Sequence, residues 1–213
     1  MSERFPLAIL GAGGHAKVVA DVALATGRWS IHGFYDDRPE LEGTSCYGST
    51  VIGGRQRLID DAAAGLVTWA FVAIGDNDTR ANVGLELLDN GVELATLVDP
   101  RAIVSPTAQI GFGTLVMPGC VINADAQIGS HVIINTAARV DHDCVIADGC
   151  HVAPGSVLCG AVHVEAHAFL GAGTIVCPGQ RIGAGARCGA GAVITRPVPP
   201  GRTAVGVPAR VLP

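Results

Sequence analysis

The stretch VDHDC at 140–144 sets His142 between Asp141 and Asp143, in a region built mostly of Gly, Ala, Val and Ile. Histidine is the side chain whose charge changes near neutral pH, so it can take or give a proton there. A carboxylate beside it holds one ring tautomer and raises the ring's basicity. The trio therefore offers general-base chemistry, and the competing reading is a solvated histidine with no task. A second cluster lies near the start, in GAGGHAK at 11–17. Gly11, Gly13 and Ala16 fit G-x-G-x-x-A, after a short apolar strand at 7–10 and before a helix from about Gly14. Such a turn brings backbone N–H groups at a helix N-terminus close to phosphate. The segment IHGFYDD ends in Asp36 and Asp37, where an acid in a Rossmann-type site meets a ribose. A tight packing turn without ligand is the alternative.

The elements that must position His142 follow from one period. Counting by six from Val104 to Ile194 gives sixteen positions, fifteen aliphatic and the other Cys188. Two residues earlier in each hexad stands a small residue, except at Gln180. A six-residue period is the signature of a parallel β-helix. Each hexad is a short strand plus a turn, with the aliphatic residue and the small one both pointing inward. Glycine after the aliphatic residue serves the corner. Three hexads make an 18-residue rung, so sixteen make about five coils. His142 falls two residues after the inward Val140, on an outward corner. Gly160, one rung further on, stacks beside it.

The first half carries a strand, a glycine turn and a helix; then a second strand to Asp37, a third in VTWAFVAIGDN ending at Gly75, an amphipathic helix capped by Asp78 and stopped at Asn90-Gly91, and a last strand in VELATLV. Asp99-Pro100 marks the boundary to the repeat. The expected domains are residues 1–98, a Rossmann-like βαβ domain, and 99–213, the β-helix. The first is too short for two mononucleotide halves and suits a single nucleotide diphosphate.

Composition narrows the function. A net charge of -5 argues against a broad nucleic-acid-binding face. No apolar run reaches the roughly 20 residues of a membrane span, and MSERFPLAIL lacks a signal-peptide build, which predicts a cytoplasmic protein. Seven cysteines occur without any C-x-x-C spacing. Cys120, Cys144, Cys150 and Cys188 fall on inward phases and read as core filler. His32, His131, His163 and His167 read as surface residues. His163 and His167 lack the acid and loop pattern of a metal site, so no metal is expected.

The hexads and the ending VGVPARVL resemble the hexapeptide-repeat acyltransferases. GAGGHAKVV followed by hexads is similar to bacterial sugar acyltransferases related to sialic acid O-acetyltransferase. It looks most like the N-acetyltransferases of nucleotide-linked 4-amino-4,6-dideoxy sugars, whose substrates include GDP-perosamine and UDP-linked bacillosamine precursors. The resemblance implies a left-handed helix, a homotrimer, and acetyl-CoA as cosubstrate in a cleft between neighbouring prisms. In INTAARVDHDCVI it implies a catalytic histidine seven residues after an asparagine and followed by an acid: Asn135, His142 and Asp143. Relatives often carry glutamate there, so Asp143 is a departure. By the same resemblance His142 is the general base, Asp143 orients it, and Asp141 is a weaker candidate for that task. His151 lies beside the thioester, and the Gly160 N–H holds the thioester oxygen. Gly11, Gly13, Gly14, His15 and Lys17, with Asp36 and Asp37, anchor the nucleotide, and Asn135 contacts sugar or diphosphate. The expected reaction is direct N-acetyl transfer, with GDP-perosamine ahead of a UDP-linked amino sugar as acceptor. An O-acetyltransferase of a sialic-acid-type sugar and a non-catalytic nucleotide-sugar-binding trimer are the alternatives.

Overall fold

The protein is described from a computed structural model covering residues 4–213. It divides into two compact units, with the division after Asp99. The first unit is a six-stranded sheet with helices. Its elements are β1 (Phe5–Leu10), α1 (Gly14–Ala25), β2 (Trp29–Tyr35), β3 (Ser45–Cys46), β4 (Ser49–Gly53), α2 (Arg55–Ala63), β5 (Trp69–Val72), α3 (Asn77–Asp89) and β6 (Glu93–Leu94). The spatial order is β3-β4-β2-β1-β5-β6, parallel except for the β3–β4 hairpin. Strands β1 and β5 read as nearly continuous apolar runs because both their faces are covered. Leu7, Ile9, Phe34 and Phe71 are fully buried. Helix α1 turns Ala16, Val19, Ala20 and Ala23 inward, the spacing of one helical stripe. From β1 the chain builds outward through β2 and β4, then returns to β5 on the other side. The switch in direction lies between β1 and β5, and ligands of open α/β sheets sit outside the carboxyl ends of the strands at such a point.

Several local expectations change. The N-cap of α3 is Asp76, which accepts from the Thr79 N–H at 2.9 Å, whereas Asp78 lies inside the first turn. An acid there still favours the helix through its dipole. The third strand ends at Val72, three residues short of Gly75. The segment VELATLV is interrupted at Ala95–Thr96 and forms β6 and a second two-residue strand, β7 (Leu97–Val98). Helix α2 and the β3–β4 hairpin are present without a sequence forecast. The helix is short and polar, and the hairpin rests on a turn with left-handed Tyr47 and Gly48.

The second unit is a three-sided parallel β-helix of two-residue strands. Residue n pairs with n+18 along each face, as in Val121↔Arg139, Arg139↔Val157 and Val157↔Ile175. The inward residues Ile122, Val140, Leu158 and Val176 are buried, and so are Cys120, Cys144, Cys150 and Cys188. The Cys144 thiol donates to the Cys159 carbonyl at 3.2 Å, linking one coil to the next. Burial pushes the Cys188 thiol up to about 12. Three residues after the inward aliphatic, the backbone takes left-handed φ, at glycines such as Gly149 and also at Asp125, Asp143 and Ala161. Glycine one residue after the aliphatic has another cause. At Gly111 a Cβ would come within 2.6 Å of the backbone of Gly129 and Ser130. An antiparallel hairpin, Thr203–Gly206 with Ala209–Val211, ends the unit.

His131 departs from its surface reading. It is 3% exposed, at φ 56°, and meets Phe112 edge-on at 5.1 Å. Its hexad phase is that of a turn, which by itself does not reveal the cover over the ring.

Candidate functional site

His142 projects from a corner of the β-helix and is exposed. Its Nδ1 lies 2.7 Å from Asp143 Oδ2. An ionised carboxylate only accepts, so Nδ1 carries the proton and Nε2 keeps a lone pair. The hydrogen bond to Asp143 and then the charge of Asp141 raise the pKa of the ring. Asp141 acts through the backbone: its Oδ1 accepts from the His142 N–H at 2.8 Å and from Asn123 Nδ2 at 2.8 Å. The Asn123 bond is the main reason the Asp141 carboxyl stays below its usual range. Asp143 is itself in the left-handed conformation, φ 58°, which asparagine and aspartate tolerate best among residues with a Cβ.

Gly160 stacks against His142 as the 18-residue rung predicts. A Cβ on Gly160 would stand 2.6 Å from His142 Cε1 and 2.7 Å from Nε2. The neighbouring Ala161 N–H donates to the His142 carbonyl at 2.9 Å. The Gly160 N–H has no hydrogen-bond partner among the described residues. A shallow cavity of about 150 Å³ borders this corner, lined by Val121, Asn123, Arg139, Asp141, Val157 and Cys159 among others.

Asn135 and His151 meet each other. Asn135 Nδ2 lies 3.0 Å from His151 Nε2, and Asn135 Oδ1 accepts from the Thr136 N–H at 2.8 Å. The sequence reading gave these two residues to different ligands, and the fold joins them in one contact. The His151 ring packs edge-on against Phe169 at 5.3 Å, and the Arg187 guanidinium lies 4.8 Å from the Phe169 centroid. His151, Phe169 and Arg187 are one rung apart on the same face.

In the first unit the glycine turn opens α1 beside the switch point. Gly11, at φ 115°, is fixed by the fold: a Cβ would meet the Ala73 carbonyl oxygen at 2.8 Å. Gly13 and Gly14 have nothing within 4 Å of a would-be Cβ. Gly13 caps α1 with no side chain, leaving the helix N-terminus open to an anion. His15 has a buried Nε2 without a partner among the described residues. Burial, and after it the charge of Arg80, lowers its pKa. Lys17 is exposed in the first turn of α1. Asp36 is already engaged: Oδ2 accepts from the Ala12 N–H at 2.8 Å, and Arg38 holds both oxygens at 2.8 Å. These bonds, the Arg38 one first, bring its carboxyl to about 2. Asp37 accepts from the Arg55 N–H at the start of α2, at 2.8 Å, and pairs with the Arg55 guanidinium at 3.0 Å. Both acids line a cavity of about 160 Å³ with Leu10, Gly11 and Ile74. They shape the turn and α2, and a ribose would meet groups already bonded.

Sequence reasoning missed Asn123, Phe169, Arg38 and Arg80. The first two lie 18 residues from Asp141 and His151, so the rung spacing could have found them. Arg80 is fully buried and donates to the Ile74 and Gly75 carbonyls at 3.2 Å and to Asn77 Oδ1 at 2.9 Å, fixing the loop after β5. Nothing in its helical spacing marks it. Among the described residues, no three His, Cys, Asp or Glu side chains converge as a metal would need. No described helix is long and apolar enough to cross a membrane.

Known proteins share this architecture. Residues 6–87 match the PglD N-terminal domain. PerB from Caulobacter crescentus, solved in complex with CoA and GDP-perosamine, is 42% identical and superposes with a TM-score of 0.92 over 97% of each chain. The acetyltransferase domain of PglB from Neisseria gonorrhoeae, solved with acetyl coenzyme A, is 36% identical with a TM-score of 0.90, over 99% of this chain and 100% of that one. The GDP-perosamine N-acetyltransferase of Escherichia coli O157:H7 is 38% identical over 102 residues, 48% of this chain. The chain spans about half the length of that curated relative, 46%. With a PglD-type domain ahead of a left-handed parallel β-helix and this likeness along nearly its whole length, the chain belongs to the hexapeptide-repeat sugar acyltransferases, in the group of the nucleotide-linked amino-sugar N-acetyltransferases.

Proposed function

We propose that the protein transfers acetyl from acetyl-CoA to the 4-amino group of a nucleotide-linked 4-amino-4,6-dideoxy sugar, with GDP-perosamine as acceptor. The observation that carries this reading is the His142 corner, with its tautomer set by Asp143 and an unbonded Gly160 N–H beside the ring. A protonated amine does not attack a thioester, so a base is required. The amine nitrogen bonds to the thioester carbon as His142 Nε2 takes its proton. The carbonyl electron pair moves onto oxygen, which the Gly160 N–H stabilises. Collapse of that adduct breaks the carbon–sulfur bond. The CoA thiolate leaves and recovers the proton from the His142 imidazolium, giving amide and free CoA thiol. Proximity of the two substrates supplies much of the rate, and no acyl-enzyme forms. Asp143 holds and polarises the ring, and Asp141 fixes its backbone.

In this reading the open helix N-terminus at Gly13 and Gly14, with His15 and Lys17, receives the diphosphate. Asp36 and Asp37 hold the walls of that pocket. Asn135 and His151, joined as one unit, position substrate near the acetyl group. The protein works without a metal, as a homotrimer, in the cytoplasm where acetyl-CoA is made. The test is a panel of GDP- and UDP-linked 4-amino sugars with acetyl-CoA, read by thiol release. GDP-perosamine should turn over best, and His142→Ala should lower kcat by roughly 10²–10⁴. Equal turnover of a 4-hydroxy sugar would move the assignment to O-acetyl transfer. Full activity of folded His142→Ala would remove the base.

A further inference from the structure

Glycine is common in this repeat, and it has preferred places. Across the sixteen hexads from Val104 to Ile194 it stands five times one residue after the inward residue and eight times three residues after. Two residues after, it stands once, at Gly160. The other fifteen hexads carry a side chain there, including alanine at Ala124 and Ala166. The close approach of backbones explains four of the first class, Val205 stands over the fifth, Gly189, and left-handed φ explains the second class. Neither explains Gly160. Its φ is outside the left-handed region, and the contacts that a Cβ would make are with an imidazole, not with backbone: His142 Cε1 at 2.6 Å, Nε2 at 2.7 Å and Nδ1 at 3.3 Å. A real Cβ does not approach carbon or nitrogen that closely, so a side chain at 160 and the observed ring position exclude each other.

We propose that Gly160 is a positioning residue for the transfer: its missing side chain is the seat on which the His142 ring lies while Nδ1 holds Asp143. The proposal rests on the reading of His142 as the base and adds a separate claim about what keeps the ring in place. The ring is exposed and touches Asp143 on one edge only, so it needs a second restraint. The bare backbone at 160 is that floor. A methyl group there would lift the ring off the Gly160 backbone and lengthen the 2.7 Å bond to Asp143. The role differs from that of the N–H as a donor, because alanine keeps the N–H and removes only the space.

Gly160→Ala separates the two. Alanine occupies the same hexad position at Ala124 and Ala166, so the variant is expected to fold. The expected results are a displaced ring in its crystal structure, an NMR titration of His142 moved down toward that of a free histidine, and kcat lowered by roughly 10²-fold, the scale of a catalytic group misplaced by about 1 Å. KM for both substrates should change little. An imidazole that keeps its position and titration in Gly160→Ala overturns the proposal, whatever happens to activity. Should Gly160→Ala fail to fold, the double variant His142→Ala/Gly160→Ala must fold, since no ring remains to clash. A double variant that also fails to fold places the need for glycine in the backbone and overturns the proposal as well. Full activity of His142→Ala sinks the functional reading instead, and the NMR and crystallographic arms still decide the seat.

Discussion

Asp143 and Asp141 hold His142 by different handles, one on the ring and one on the backbone N–H. The first handle governs basicity. In the proposed mechanism His142 works as a base in its neutral form, so activity should fall as pH drops through the ring's pKa. Asp143 raises that pKa. Asp143→Asn should therefore shift the acid limb of the kcat/KM profile to lower pH and also lower the plateau, because a weaker base remains. A limb that stays in place would mean that the ring does not report to Asp143. This contact was legible in the sequence from adjacency and the outward phase. The departure from glutamate is answered by geometry: the left-handed turn at 143 curls the shorter side chain back to Nδ1. What adjacency could not give was the direct Asn135–His151 contact, a bond between neighbouring coils that requires both rotamers.

At the scale of elements, the repeat was legible because one period fixes strand, corner and stacking at once. The first unit was legible in part. Apolar runs announced β1 and β5 and the segment IHGFYDD announced β2, while α2 and the β3–β4 hairpin carry little apolar signal and owe their place to the sheet around them. The glycine turn divides into residues with distinct tasks. Gly11 serves the fold, while Gly13 faces open space at an extended φ of -85°, which a β-branched residue adopts readily. Gly13→Val should therefore melt like the wild type and yet raise KM for the nucleotide sugar steeply, with KM for acetyl-CoA nearly unchanged. That pattern is the loss of ground-state binding. Unaltered nucleotide-sugar affinity in the folded variant would remove the turn from the binding site. Acid tests the same turn by another route. The Asp36 bonds to Ala12 and Arg38 contribute stability above the ordinary aspartate pKa of 3.8, and it is lost as pH falls through about 2.

At the scale of the whole molecule, one face of the β-helix presents a column of outward aliphatic side chains: Ile103, Val121, Val157, Ile175 and Val193, broken by Arg139. Ile103 is 68% exposed and Ile175 41%. The period that marks the inward residues is equally blind to what covers the outward ones, so assembly could not be read from it. The proposed homotrimer predicts a single species of three chains in sedimentation at assay concentrations, and Ile175→Glu should dissociate it with loss of activity. A fully active monomer would rule out a shared site.

The rung has a consequence for change in chain length. Because the coils between His142 and Gly160 contain no loop to absorb slack, sequence number works there as a spatial coordinate. Deleting one residue between them would bring Ala161 under the imidazole in place of the glycine. In the following coils it would exchange the inward and outward sets until the next compensating insertion. Neutral insertions and deletions in this stretch are thus confined to whole rungs, and the distance in sequence from His142 to Gly160 is as much a part of their contact as either residue.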